Sequence, residues 1–375
     1  MRTQTSAAAP AVAPERMLVV AGASVRGFAS SAARAGWTVF AADLFRDLDL
    51  VAAAEAAVLS SGIGPSSAGD MSASCAGFPP AAWCYTGGLE NHPDVIAAIS
   101  VRHRLFGNSP AAVRAVRDVE RLAAAVRDAG LLFPETRQHA SKVPMDGSFL
   151  VKPAAAAGGR GIRRWHGDRD ADAGSRERFW QRLIPGRSWS ASYVLASPAA
   201  RLLGVSRQYT GLRWCHAHPF AYCGSVDVPL ARIGGGVRGQ LDRLGRLLME
   251  EFHLVGLVGV DLIVDAGGRL HVIEVNPRPT ASMELHERAT GESLAATHIA
   301  ACGGPSSSAA ASILPPTTWA KCVLFASSAV RVTPATIAAV SGCARPWSEE
   351  DGWPAVADIP APPQDIAAGR PLVTL

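Results

Sequence analysis

The sequence predicts an α/β protein with a βαβ opening domain, a further α/β unit and a small β-rich tail. Three observations carry this reading. The first is a strand, glycine turn, helix and strand run over residues 17–43. The second is a pair of Val-, Ile- and Leu-rich runs, 257–264 and 270–275, joined through Asp265-Ala266-Gly267-Gly268-Arg269. The third is helical apolar spacing at Leu241, Leu244, Leu247 and Leu248, which predicts an amphipathic helix over 237–253.

The opening domain comes first in the chain. Residues 17–21 read as a short strand, Gly22 to Gly27 as a turn, and the stretch to Ala35 as a helix that Gly36 stops. A second strand over 37–42 ends at Asp43. The pattern invites a dinucleotide reading. However, Ser24 stands where the second glycine of that fingerprint lets the backbone approach pyrophosphate, so a generic α/β opening is favoured. A strand over 81–86 runs into Gly87-Gly88-Leu89-Glu90-Asn91, a polar loop at a strand's C-terminal end, where ligands gather in open parallel sheets. Ser109-Pro110 reads as an N-cap with proline at the first helical position. The domain boundary falls there, and one helix is expected on to about Ala129.

Composition bounds the function classes. The chain has 375 residues, enough for two or three domains. Its net charge of +4 is scattered, which argues against a nucleic-acid surface. Seven dispersed cysteines without a CxxC pair predict neither a zinc site nor a disulfide framework and fit a reducing cytoplasm. Residues 1–15 read as a disordered Ala/Pro-rich tail without a signal-peptide core, and no membrane span is expected.

Two stretches carry the chemistry. In the first, Lys152 ends an apolar run, and Gly158, Gly159, Arg160 and Gly161 follow. Backbone N–H groups of such a turn close on phosphate oxygens while an ammonium neutralises them; a mobile hairpin loop is the alternative. In the second, a hairpin turning at Gly267-Gly268 pairs Ala266 with Arg269 and so places Asp261 opposite Glu274. Opposed side chains lie roughly 4.5–5.5 Å apart at Cβ, where like charges repel unless a cation lies between them. Asn276 shares the face of Glu274, because strand side chains alternate. The resulting all-oxygen set suits Mg²⁺; the alternative is a surface hairpin with solvated acids.

Lys152, the AAGGRG loop, the short segment 181–184, and Asp261 followed by Glu274-x-Asn276 in this order resemble the ATP-grasp superfamily over about residues 106–300. The EVNPRP stretch at 274–279 is the most specific signature. The whole chain resembles the predicted ATP-dependent carboligases related to biotin carboxylase, several of which accompany one-carbon metabolism with methanopterin- or methanofuran-type cofactors. The resemblance implies an ATP-grasp fold over 106–302 behind a pre-ATP-grasp domain over 16–105, with a linker at 303–316 and a small β-rich domain over 317–375. ATP and Mg²⁺, with Mn²⁺ as an alternative, are the implied cofactors. Lys152 would contact the α/β phosphates, and Gly158, Gly159, Arg160 and Gly161 would fold over the β/γ phosphates. Gln181, Arg182, Leu183 and Ile184 would line the adenine, and Asp261, Glu274 and Asn276 would hold the metal. Arg278 would steady the carboxylate or acyl phosphate. Arg117 stands where relatives carry a helix lysine, and Ser188 where they often carry a ribose-binding glutamate. The implied activity joins a small-molecule carboxylate to an amine through an acyl phosphate. A carboxylase using bicarbonate and a non-catalytic ATP-binding protein are the alternatives, and a homodimer is compatible with the resemblance.

Overall fold

A computed structural model describes residues 16–63, 71–167, 178–306, 318–343 and 353–375. The expected disordered tail at 1–15 and most of the expected linker at 303–316 lie outside the described residues.

The opening segment alternates β1 (Met17–Ala21), α1 (Arg26–Arg34), β2 (Thr38–Asp43), α2 (Leu48–Ala53), β3 (Ala56–Leu59), α3 (Met71–Ala76), β4 (Ala82–Tyr85), α4 (Pro93–Ser100) and β5 (Arg104–Leu105). Its strands form one parallel sheet in the order β3-β2-β1-β4-β5. The order reverses between β1 and β4, so the loops after these two strands flank the crevice where such sheets present ligands. The loop singled out at 87–91 follows β4.

The chain then crosses to the body through Asn108, which is buried. Its Nδ2 donates to the carbonyls of Val255 and Pro277 at 3.0 Å each, and its Oδ1 accepts from the Val255 amide at 2.7 Å. One side chain thereby ties the two strands of the 256–276 hairpin together at its open end. The helix expected to run to Ala129 is two helices, α5 (Pro110–Arg117) and α6 (Val119–Asp128). Asp118 makes the break: its backbone is extended, and its carboxylate accepts from the amides of Glu120 and Arg121, capping α6. Arg117 is left at the C-terminal end of α5 rather than in mid-helix.

A small antiparallel sheet follows, in the order β6 (Thr136–Arg137), β9 (Arg178–Arg182), β7 (Phe149–Pro153), β8 (Arg163–Arg164). The large sheet is built from β10 (Gly186–Ala196), β11 (Ala199–Thr210), β12 (Tyr222–Val228), β13 (Gly256–Asp265) and β14 (Leu270–Asn276), and runs β14-β13-β10-β11-β12. α7 (Gly235–Phe252) covers one face through Leu241, Leu244 and Leu248, all fully buried, as its apolar spacing predicts. Two short helices follow β14, α8 (Met283–Thr290) and α9 (Leu294–Ala301). Gly291 adopts φ 70°, closing α8, and the Ser293 hydroxyl caps α9.

The tail joins the body instead of standing apart. β15 (Ala320–Phe325) pairs with β12, and β18 (Pro371–Thr374) pairs with β15, extending the large sheet to seven strands. β16 (Val330–Val332) and β17 (Gln364–Ile366) form a separate two-stranded ribbon, with α10 (Pro334–Cys343) between them in sequence. A buried ionic network anchors the tail to α1 and α8. Arg26 donates to Glu284 at 2.6 Å and to Asp358 at 2.9 Å and lies 3.4 Å from Asp49, while Lys321 pairs with Glu284. Asp49 in turn accepts the amides of Asp358 at 2.9 Å and Ile359 at 3.0 Å. No helix among the described residues is long and apolar enough to cross a membrane.

Two predictions follow from these anchors. Asn108→Ala removes the side-chain partners of the part-buried Val255 amide and carbonyl, while the Pro277 carbonyl keeps the Tyr85 hydroxyl at 3.1 Å, so it should cost about 1–3 kcal/mol. Urea unfolding should show a lower midpoint with an unchanged slope. Asp47, beside the Arg26 network, is pushed up to about 8 by burial, with Asp358, Asp43 and Asp49 adding repulsion. Its folded value exceeds the unfolded one, so its contribution is intact below about pH 4 and is lost as pH rises through 8. Asp47→Asn should therefore melt close to wild type below about pH 4 and several degrees above it at pH 9.

Candidate functional site

The hairpin that closes the large sheet fixes the acidic pair. The expected Ala266–Arg269 pairing does not form. The Asp265 amide donates to the Arg269 carbonyl at 3.0 Å, leaving a three-residue loop in which Gly268 takes φ 74°. That register alone would misplace Glu274. A bulge at Ile273 corrects it: Leu262 pairs with Val272, whereas Asp261 pairs with Glu274. The two acids are therefore opposed as the sequence requires, through a turn and a bulge that offset each other.

Electrostatics at the pair follow from burial. Desolvation first, and the Glu274 charge second, push the Asp261 carboxyl up to about 6. Hydrogen bonds from Gln208 at 2.9 Å and Asn276 at 3.2 Å partly offset this. Arg117, at the end of α5, donates to Glu274 and also to Asn91 Oδ1 at 3.0 Å and the Ala154 carbonyl at 3.1 Å. Lys152, 8% exposed on β7, donates to Gln181 Oε1 on β9 at 2.7 Å. Burial pushes its ammonium down, against the raising influence of Glu274 and Asp261.

These groups line one cleft of about 1530 Å³ between the small and large sheets. Lys152, Gly158, Gly159, residues 181–184, Ser188, Arg117, Asp261, Glu274, Asn276 and Arg278 all lie on its wall. Arg160 and Gly161 do not: Arg160 is exposed at the tip of the loop. The loop rests on the segment before β12. The Tyr222 amide donates to the Gly158 carbonyl at 3.1 Å, and a Cβ on Gly159 would lie 1.9 Å from the Phe220 oxygen. Gly159 also holds φ 78°, so both space and backbone require glycine there. In the segment 181–184, the Arg182 and Leu183 amides already donate to the carbonyls of Glu135 and Ser148, at 2.8 and 2.9 Å. A base edge must therefore use the other main-chain groups of this segment.

Arg278 joins the site to the first domain. It donates to Glu90 Oε1 at 2.6 Å, to Asn276 Oδ1 at 3.2 Å and to the Pro279 carbonyl at 3.0 Å. Glu90 is 2% exposed; burial opposes its ionisation, but the Arg278 guanidinium outweighs that and holds the carboxyl below its ordinary range. Sequence reasoning left the 87–91 loop without a role and overlooked Gln208. The only local sign of Gln208 is period two along β11, where Ser206, Gln208 and Thr210 share one face.

The donor set fits a hard divalent cation. Two carboxylates and an amide converge, and burial followed by repulsion raises the Asp261 carboxyl, which a cation between the acids would oppose. Among the described residues no group of three or more His, Cys, Asp or Glu side chains is arranged for a metal; beside the two carboxylates, the Asn276 amide donates to Asp261 and accepts from Arg278.

Comparison with known proteins agrees with this architecture. Residues 117–282 match the family model described as the ATP-grasp domain, and this stretch of the chain is an ATP-grasp domain. The solved structure of an ADP complex of N5-carboxyaminoimidazole ribonucleotide synthetase is similar at 15% identity, covering 97% of this chain and 92% of that one, with a TM-score of 0.68. Biotin carboxylase from Campylobacter jejuni is similar at 15% identity, over 84% of this chain and 76% of that one, with a TM-score of 0.60. An L-amino acid ligase from Bacillus licheniformis is similar at 14% identity, over 85% and 82%, with a TM-score of 0.62. No curated protein matches the sequence. The fold is thus ATP-grasp behind a doubly wound α/β domain.

Removing either partner of the Glu90–Arg278 pair leaves a buried charge alone. Glu90→Ala and Arg278→Ala should each destabilise by about 3–5 kcal/mol. The double variant should lose clearly less than the sum in urea unfolding, since the two act as a unit.

Proposed function

We propose that this protein is a Mg·ATP-dependent ligase that activates a small-molecule carboxylate as an acyl phosphate and joins it to an amine. The observation that carries the reading is the opposed pair Asp261 and Glu274, lining one cleft with Lys152, Gly158 and Gly159 within the matched ATP-grasp domain. Similarity to the synthetase and the amino acid ligase supports it.

Asp261, Glu274 and Asn276 would hold Mg²⁺, which supplies charge screening of the triphosphate when bound. Lys152, fixed by Gln181, places an ammonium on the phosphate path. The backbone amides around Gly158 and Gly159 close over the terminal phosphates, and Gln181, Arg182, Leu183 and Ile184 border the base. Arg278, aimed by Glu90, holds the substrate carboxylate for in-line attack on the γ-phosphoryl group, giving ADP and the acyl phosphate. The amine then displaces phosphate. The protein's share is positioning and charge stabilisation, as is general for phosphoryl transfer. The glycine loop also excludes water, which would hydrolyse the acyl phosphate. The sequence resemblance directs the substrate search to precursors of one-carbon carrier cofactors.

Likeness to biotin carboxylase supports a second reading, in which bicarbonate is the phosphate acceptor. Phosphate release that requires bicarbonate and ignores amines would select it. Binding of Mg·ATP with no turnover on any acceptor would leave a nucleotide-binding protein.

The test is a screen of carboxylate and amine pairs for Mg·ATP-dependent phosphate release, with mass spectrometry of the product. Glu274→Ala and Lys152→Ala should each lower the rate at least 10²-fold. A wild-type rate in Glu274→Ala would sink the metal assignment.

A further inference from the structure

The 87–91 loop belongs to the first domain, yet its last two residues reach three parts of the cleft. Glu90 holds Arg278 at 2.6 Å. Asn91 Oδ1 accepts from Arg117 at 3.0 Å, and Asn91 Nδ2 donates to the Ala156 carbonyl at 3.4 Å, two residues before the glycine loop. Arg117 itself donates to the Ala154 carbonyl at 3.1 Å. The strand leaving β7 toward Gly158 is therefore held at alternate carbonyls by two side chains that also hold each other. The segment 154–157 otherwise offers only alanine methyl groups, so these polar contacts are its means of attachment on that side.

The loop that presents Asn91 is itself fixed. Its residues Leu89–Asn91 form one 3₁₀ turn, Leu89 is fully buried, and Glu90 is pinned by its ion pair. Asn91 is a rigid post on the first domain, whereas residues 158–161 hold three glycines and an exposed arginine. An amide side chain is the group suited to this task. It accepts from a guanidinium and donates to a carbonyl at once, which an ionised Asp, an acceptor only, does not do.

We propose that Asn91 is a positioning residue that latches the 154–161 loop to the first domain, through the Ala156 carbonyl directly and through Arg117 to Ala154. This rests on the ATP-grasp reading of the cleft only for its consequence: the latch sets how readily the glycine loop lifts from bound nucleotide. The attachment itself concerns the protein alone and is measured without nucleotide.

Arg160, exposed at the loop tip, is a built-in reporter. Trypsin should cut after Arg160 at a rate set by how often the loop lifts. In nucleotide-free full-length protein, Asn91→Ala should speed this cut several-fold, with fragment masses fixing the site. Asn91→Asp keeps the acceptor for Arg117 and loses the donor to Ala156, so it should give an intermediate rate. Asn91→Gln, which keeps both functions, should come closest to wild type. Thermal melting of each variant separates a local opening from general unfolding, and Asn91→Asp and Asn91→Gln keep the comparison available if the alanine variant does not fold. Equal cleavage rates across folded variants would overturn the latch. Separately, Mg·ATP should slow the cut in wild type. Absence of that protection would count against the nucleotide reading and leave the latch to stand or fall on the nucleotide-free series.

Discussion

Two carboxylates facing each other across a β-hairpin are the constraint on which the rest of the site depends. Burial first, and the facing charge of Glu274 second, raise the Asp261 carboxyl, so the pair needs positive charge nearby. The fold answers it from several directions. α5 ends early so that Arg117 reaches Glu274, β7 carries Lys152 within electrostatic reach of both acids, and Gln208 and Asn276 donate to Asp261. A bound cation would complete the same neutralisation, which is why the site suits one.

The surrounding architecture holds that arrangement against its own repulsion. Asn108 clamps the entry to β13 and the exit from β14, so the strands bearing the acids cannot slide independently. On the far side, the Arg26 network joins the first domain, α8 and the tail in one buried cluster. Networks of this kind contribute more to a unique arrangement than to net stability, because desolvation offsets much of the ionic attraction. Here that arrangement fixes α8, and with it the 280–282 segment lining the cleft.

The first domain is more than a support. Its loop after β4 supplies Glu90 to Arg278, 188 residues on, and Asn91 to Arg117, 26 residues on, so one short turn holds both guanidinium groups. The placement agrees with the general rule that doubly wound sheets present functional loops at the C-terminal ends of the strands beside the switch point.

The amino-acid sequence by itself determined the two α/β layers, the amphipathic α7, the Lys152 and glycine-loop pair, and the opposition of Asp261 to Glu274. These are legible because they are local: strand alternation, helical spacing and turn chemistry act within about twenty residues. Even there, the register was reached through a three-residue loop and a compensating bulge, which one-residue turn arithmetic does not contain. Tertiary structure alone decided that Arg117 would turn into the cleft, that Gln208 would reach Asp261, and that the tail would extend the central sheet. It also decided that Glu90 would meet Arg278 across 188 residues of chain. Each of these depends on polar partners that folding alone brings together, and a buried charge takes the partner that packing leaves within reach.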